Sequence, residues 1–249
     1  MDGADRTPVA TFFTADEAFA IGGTVNLADE AAHHIRVARV GIGECVALRN
    51  GSGKAAVGTL VKASKTSAWV DVSDVSEILR PAPIHLLAPV ADKDRMLWLA
   101  EKATELGVSS WRPVIWRRSK SVTPRGEGAT FQAKVRSRMI SALVQSGSGW
   151  LPDIFPEATI DRAVAAAPLG TRVLLDKEGE PMAGVPMKAP VTIAVGPEGG
   201  MEQGERDLFL GAAFLPVKLA QSTLRFETAG VAGVAIAAAS LALPRQSNG

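Results

Sequence analysis

Short apolar strands and amphipathic helices alternate along the chain from residue 84 onward, and this pattern constrains the fold more than any other feature. The periodicity predicts strands over residues 84–88, 111–116, 172–175, 191–195 and 215–219, and helices over residues 93–106, 131–144, 204–212 and 227–241. Such alternation is typical of a mostly parallel sheet with helices on both faces. Ligands of these sheets bind outside the carboxyl ends of the strands. We therefore predict an α/β fold class for this part, with a binding site at that edge of the sheet.

The first 80 residues have a different pattern, which indicates mostly β-structure. Alternating apolar residues predict strands over 44–49, 55–62 and 68–72, with a helix over 27–40. The tetrapeptide Asn50-Gly51-Ser52-Gly53 is typical of a turn, because its residues tolerate a positive φ. We predict a small β-barrel with one helix for residues 1–80. The segment Arg80-Pro81-Ala82-Pro83 interrupts the pattern, and we place the boundary with a second domain, residues 81–249, there.

Cysteine content and hydropathy exclude several classes of protein. The one cysteine, Cys45, cannot form an intrachain disulfide or a multi-cysteine metal site, so we expect no metal and a reducing compartment. The acidic first five residues lack the basic and apolar regions of a signal peptide, which favours a cytoplasmic location. The longest apolar stretch, residues 229–243, is shorter than the roughly 20 residues that a membrane span needs. We expect it to be a buried helix.

Positive charge is concentrated in residues 112–138, which we call the basic window. The whole chain has a net charge of +1, but this window has eight basic residues and one acidic residue, Glu127, a net of +7. The basic residues are Arg112, Arg117, Arg118, Lys120, Arg125, Lys134, Arg136 and Arg138. The pattern indicates a polyanion-binding surface, and a solvated basic face is an equally good interpretation of the charge alone.

The predicted strand at residues 191–195 continues directly into Gly196-Pro197-Glu198-Gly199-Gly200, which we call the glycine loop. Glycines at the end of a buried strand leave backbone groups bare and permit close approach by a ligand. The chain has neither the dinucleotide fingerprint G-x-G-x-x-G nor a P-loop lysine. Glycine content alone leaves a ligand loop and a simple tight turn equally open.

A second polar loop follows the last predicted strand. Residues 219–225, which we call the arginine loop, end in Leu224-Arg225, and a helix then begins with Glu227 in its first turn. The helix dipole favours an acidic residue there, so Glu227 is either a functional carboxylate or only a helix-start residue with Arg225 as its partner.

Four stretches of the sequence resemble, in order and spacing, the bacterial 16S ribosomal RNA uracil-N3 methyltransferases of the knotted (SPOUT) methyltransferase superfamily. They are His33-His34-Ile35-Arg36-Val37, Lys93-Asp94-Arg95-Met96 with residues 101–108, the glycine loop, and Leu224-Arg225 with Glu227-Thr228-Ala229. The resemblance implies a PUA-like β-barrel for RNA contact, and an α/β domain whose C-terminal part forms a trefoil knot. It also implies S-adenosylmethionine as cofactor, 16S ribosomal RNA or the small ribosomal subunit as partner, and a homodimer formed through the C-terminal domain.

The resemblance also implies functional roles for particular residues. The implied catalytic residues are Arg225, Glu198 and Glu227, and either glutamate is a candidate for the general base. The implied cofactor-binding residues are Leu175, Gly196, Pro197, Glu198, Gly199, Gly200, Leu219, Thr223, Leu224 and Arg225. The implied RNA-binding residues are His34, Arg36, Arg117, Arg118, Lys120 and Arg125.

Four positions depart from the family pattern. Ala220 stands where the family usually has Gly, Ser222 and Ser148 where it has Arg, and Phe226 where it has Thr. Two other functions compete with uracil-N3 methylation. One is ribose 2′-O methylation of RNA by an enzyme of the same superfamily, and the other is RNA binding without catalysis in ribosome assembly.

Overall fold

The computed structural model describes residues 7–15, 19–119 and 128–242, and these divide into two compact units. The first unit takes residues up to 80 together with Ile140–Leu151, and the second takes Pro81–Met139 together with residues from 152 onward.

The first unit is built on a mixed five-stranded sheet. Its elements are β1 (Ala10–Phe13), β2 (Thr24–Ala28), α1 (Asp29–Val37), β3 (Cys45–Arg49), β4 (Lys54–Ala63) and β5 (Ser67–Glu77). The strand order is β1-β3-β4-β5-β2, and only the β1–β3 pair is parallel. No ladder joins β1 to β2 among the described strands, so the expected barrel is open at this point. Buried Ile35 of α1 packs with Leu48 and Leu60 of the sheet to form the core.

One prediction for the first unit, the bounds of its helix, is corrected at both ends. The helix predicted over residues 27–40 begins only at residue 29, because alternate residues Val25 and Leu27 are buried in strand β2. The helix ends early because Arg39 has a left-handed φ of 55°. The predicted turn is present, and the Asn50 side chain accepts hydrogen bonds from the backbone N–H groups of Ser52 and Lys54. Strands β1 and β2 were not predicted.

The second unit is a parallel sheet with helices. Its strands are β6 (Ile84–Pro89), β7 (Ser110–Ile115), β8 (Asp153–Ile154), β9 (Ala158–Thr159), β10 (Thr171–Pro181), β11 (Val191–Val195) and β12 (Leu215–Lys218). Its helices are α2 (Lys93–Glu105), α3 (Ala129–Ser146, whose last residues belong to the first unit), α4 (Ile160–Ala165), α5 (Gln203–Gly211) and α6 (Phe226–Ala242). The strand order is β12-β10-β11-β6-β7-β8, with β9 also on β7, and every pairing is parallel.

All the elements predicted from residue 84 onward are present, with ends that differ by a few residues; only β10 runs well beyond its prediction. The short elements β8, β9 and α4 were not predicted, because two to six residues are too few to show a period.

The burial of these segments matches their positions in the sheet and against it. All five residues of β11 are buried, as expected of a central parallel strand covered on both faces. Helix α6 packs against α2, β6 and β11. At Gly230, a side chain would place Cβ only 2.8 Å from Leu99 Cδ1, so glycine is what permits α6 to approach α2. Among the described residues, no helix is long and apolar enough to cross a membrane.

Candidate active site

A cavity of about 590 Å³ lies in the second unit, where strands β11 and β12 end beside the middle of β10. Three segments form most of its wall: the glycine loop with the residues after it, residues 175–178 of β10, and the arginine loop. The predicted cofactor-binding residues that line it are Leu175, Gly196, Pro197, Glu198, Gly199, Gly200, Leu219, Thr223 and Leu224. These predicted cofactor-binding residues are up to 49 positions apart in the chain, from Leu175 to Leu224.

Glycine is required at particular positions of the glycine loop. At Gly199, a Cβ atom would lie 2.9 Å from the carbonyl oxygen of Arg118. Gly200 has a φ of +77°, which strains any residue with a side chain. The Gly200 N–H donates to the Pro197 carbonyl at 3.0 Å, so the segment makes a tight turn at the cavity. The two interpretations of this loop are thus compatible, since it is both a turn and a cavity wall.

The arginine loop forms another part of the wall. Three of the four departures from the family pattern, Ala220, Ser222 and Phe226, line the cavity, and Phe226 is buried. Ser148 lies in the first unit, where its hydroxyl accepts from the Trp150 N–H at 3.3 Å. Arg225 does not line the cavity: its side chain is exposed, and it makes no ion pair within the described part of the chain.

The middle of β10 contributes a fixed ion pair at Asp176. Asp176, which is buried, accepts a hydrogen bond from Arg206 Nε at 2.7 Å. This bond raises the pKa of Arg206 above its ordinary value. Asp176 also accepts from the Glu178 N–H at 3.0 Å, so its carboxylate ties β10 to helix α5.

The two candidate glutamates meet at one arginine, which was not predicted as a site residue. Arg95, in the first turn of α2, donates from Nη1 to Glu198 Oε1, and its Nε lies 3.9 Å from Glu227 Oε1. The Glu198 side chain is 51% exposed and lines the cavity, whereas that of Glu227 is only 11% exposed. Arg95 belongs to one of the four stretches that carry the family resemblance, and that membership is the signal that could have identified it.

The start of the basic window lies against the glycine loop and α5. Arg117 Nη1 and Arg118 Nε lie 3.6 and 3.7 Å from the two oxygens of Glu202. Buried Glu205 accepts from the Arg117 N–H at 2.7 Å and from the Glu202 N–H at 2.9 Å. Of the predicted RNA-binding arginines, Arg118 lines the cavity and Arg117 is its chain neighbour. The other two predicted residues of this window, Lys120 and Arg125, lie outside the described residues.

The remaining predicted RNA-binding residues, His34 and Arg36, lie on α1 in the first unit. His34 lines a separate cavity of about 560 Å³ there, and Arg36 Nη2 is 3.3 Å from His33 Nδ1. Within the described ranges, no group of three or more His, Cys, Asp or Glu side chains could hold a metal ion.

Two family models match the chain. A model described as an RNA methyltransferase domain matches residues 79–238, which contain the whole cavity wall. A model described as an RNA methyltransferase PUA domain matches residues 27–73.

Individual proteins match over nearly the whole chain. A ribosomal RNA small subunit methyltransferase E of Synechocystis is 26% identical over 226 residues, which cover 86% of this chain and 73% of the relative. The crystal structure of the enzyme of the same name from Neisseria gonorrhoeae, bound to S-adenosylmethionine, has a TM-score of 0.83 and 29% identity, over 91% of this chain and 95% of the other. A Legionella pneumophila protein solved with bound S-adenosylmethionine has a TM-score of 0.86 and 27% identity, over 94% and 98% of the two chains.

Proposed function

Because the chain belongs to the RNA methyltransferase family, we propose that it transfers the methyl group of S-adenosylmethionine to N3 of a uridine in 16S ribosomal RNA, in the decoding region near the 3′ end. The relatives named ribosomal RNA small subunit methyltransferase E support this substrate, and they match over most of their own length. The observation that carries the proposal is the cavity, since two of the four segments that resemble the uracil-N3 enzymes, the glycine loop and residues 224–229, contribute to its wall.

The residues of the cavity fit S-adenosylmethionine. A volume of about 590 Å³ lies in the range of roughly 300–1,000 Å³ typical of small-molecule sites. Leu175, Leu219 and Leu224 offer apolar surface for an adenine ring, and the glycine loop offers backbone groups unobstructed by side chains. When bound, this cofactor supplies a methyl carbon that its sulfonium group opens to displacement by a nitrogen lone pair.

The uracil nitrogen needs a proton acceptor, since N3 of a neutral uracil carries a hydrogen and has no free lone pair. We propose Glu198 for this role because its half-exposed carboxylate lines the cavity, whereas Glu227 is buried. The N3–H bond breaks, its electron pair stays on the nitrogen, and the proton passes to Glu198. Holding N3 in line with the methyl carbon supplies the larger share of the acceleration.

Arg225 is the proposed cation for the substrate side of the site. It follows the cavity-lining residue Leu224, it is exposed, and no ion pair within the described residues occupies its guanidinium. A guanidinium in this position stabilises negative charge that develops on the uracil oxygens, or holds an RNA phosphate.

The basic window is the proposed RNA-binding surface beside the cavity. Arg117 and Arg118 are 79% and 55% exposed at their side chains and stand next to the glycine loop. Contacts of this kind to phosphates give an affinity that falls with rising salt concentration. The target uridine must be unstacked to reach the cavity. His34 and Arg36 in the PUA domain, together with Lys120 and Arg125, complete the proposed set.

We also propose a homodimer formed through α6 and a cytoplasmic location, where ribosomal RNA is made. Helix α6 is apolar on every side, yet Val231, Ala232, Ala235 and Ile236 are only partly buried within one chain. An apolar helix face of this kind is normally covered. A second copy of the same helix would cover it.

Nucleoside mass spectrometry of 16S ribosomal RNA tests the proposed function in cells. We expect 3-methyluridine to disappear when the gene is deleted and to return when this protein is supplied. If 3-methyluridine in 16S RNA is the same with and without the gene, the proposed substrate is wrong.

A further inference from the structure

Two carboxylates from distant parts of the chain face the guanidinium of Arg95. Glu198 belongs to the glycine loop, and Glu227 belongs to the first turn of α6. The backbone at Arg95 is itself fixed, since its N–H donates to the N-cap side chain of Asp92 at 3.1 Å. Arg95 thus joins three elements, namely the start of α2, the glycine loop and the start of α6.

The three side chains are arranged from the interior outward. Glu227 is innermost at 11% exposure, Arg95 is intermediate at 35%, and Glu198 is outermost at 51%. Glu227 Oε2 is buried and has no hydrogen-bond partner among the described residues. A buried carboxylate is costly unless a cation compensates it. Arg95 is the one cation within ion-pair distance of Glu227 in the described part of the chain, so each fixes the other.

We propose that Arg95 is a positioning residue for the methyl transfer, an inference that rests on the function proposed above. Buried Glu227 fixes the guanidinium from behind, and the guanidinium holds the Glu198 carboxylate in one orientation at the cavity. Without this contact, a half-exposed glutamate on a loop with three glycines samples several rotamers and backbone states. Glu227 acts through Arg95 and does not touch the substrate.

The first test compares turnover in Arg95→Met, Arg95→Lys and the matched control Lys102→Met. Lys102 lies on the same helix, has a similar exposure of 31%, and also pairs with two glutamates, Glu101 and Glu105, which do not line the cavity. We expect Arg95→Met to lower kcat about 100-fold while KM for RNA changes less than about threefold, because misplacement of a reacting group affects the chemical step. Arg95→Lys should recover part of the loss, since it keeps the charge but lacks the planar fork.

A double-mutant cycle tests whether Glu227 acts through Arg95. The variant that combines Arg95→Met and Glu227→Gln should be no slower than Arg95→Met alone. Both changes interrupt the same series of contacts, from Glu227 through Arg95 to Glu198. If Glu227 is itself the proton acceptor, Glu227→Gln alone abolishes transfer, and the double variant is slower than Arg95→Met. That result would overturn the assigned order of the three residues.

Hydrogen exchange in the ligand-free protein gives a readout that does not depend on activity. Amides of residues 196–202 should exchange about tenfold faster in Arg95→Met than in the wild type and Lys102→Met, since a constraint on the loop is lost. Unchanged exchange, or a kcat of Arg95→Met equal to that of Lys102→Met, overturns the proposal. If the wild type transfers no methyl group to RNA, the proposed function fails, whereas the exchange experiment still decides the role of Arg95.

Discussion

The glycine loop and the basic window lie in close contact at Gly199. A Cβ atom at this position would lie 2.9 Å from the Arg118 carbonyl oxygen and 3.0 Å from the Arg118 Cβ, and neither atom can move without a shift of the backbone. The contact between the cavity wall and the arginines proposed to bind RNA thus depends on the absence of a Cβ atom at position 199.

Gly199→Ala should weaken the binding of S-adenosylmethionine at least about tenfold, because overpacking at Arg118 displaces the loop. Titration calorimetry measures the effect. The control is Gly204→Ala, since a Cβ atom there meets nothing within 4 Å. Equal affinities in the two variants would show that the shape of the loop does not determine binding.

Arg225→Ala should lower methyl transfer at least about 100-fold while the melting temperature stays unchanged. The side chain is exposed and makes no ion pair within the described residues, so its removal leaves the fold intact. Gln221→Ala, on the same loop and also exposed, is the control and should keep its activity. Full activity of Arg225→Ala removes this residue from the site.

Site residues that stand in a recognisable local pattern could be predicted, whereas residues identified only by a distant contact could not. The glycine loop is recognisable because it directly follows a predicted buried strand. Glu227 is recognisable because it lies in the first turn of a predicted helix. Arg95 is separated from Glu198 by 103 positions, so no local pattern reveals that they meet. Glu205 was missed for the same reason, because its partner Arg117 lies 88 positions earlier.

At the scale of elements, helix α5 begins with a capping box that also anchors the end of β7. Glu205 satisfies the Glu202 N–H within the box, and its other oxygen accepts from the Arg117 N–H. One buried carboxylate therefore holds the segment after the glycine loop to the start of the basic window.

Glu205→Ala should lower the free energy of unfolding by about 2 kcal/mol, because two backbone N–H groups lose their acceptor. Denaturant titration measures the change. Glu180→Ala, at an exposed position of β10, is the matched control and should change stability by less than about 0.5 kcal/mol. A similar stability in both variants would contradict the anchoring role.

Whether a segment is a helix or a strand was predictable where its hydrophobic periodicity extends over enough residues. The residues at which an element begins and ends were less predictable. The long helix α6 was predicted within one residue at each end. Leu27 was assigned to a helix, but pairing with β5 places it in a strand, and such a tertiary contact cannot be seen in local sequence.

At the scale of the whole molecule, the expected fold class is confirmed. The structural likeness covers over nine-tenths of the chain, and the second unit is the all-parallel α/β sheet expected of SPOUT methyltransferases. A PUA domain model matches in the first unit. The trefoil knot is an expectation from the family resemblance alone. Connection rules argue against knots, so the pattern of strands and helices could not have predicted one.

Ile236→Glu should convert the proposed dimer to a monomer, since a charge on the half-buried apolar face of α6 opposes association. Sedimentation at several concentrations measures the oligomeric state. Leu169→Glu places the same charge at a residue that is already 87% exposed, and it should leave the dimer intact. A wild type that sediments as a monomer would contradict the proposed interface.

The most direct test supplies purified protein with unmodified 16S RNA or small ribosomal subunits and with S-adenosylmethionine that has a deuterated methyl group. After digestion to nucleosides, mass spectrometry identifies which nucleoside has gained the label. We predict labelled 3-methyluridine with the wild type and its near absence with Arg225→Ala. Label found in 2′-O-methylated nucleosides, or in none with either RNA or subunits, would contradict uracil-N3 methylation by this protein.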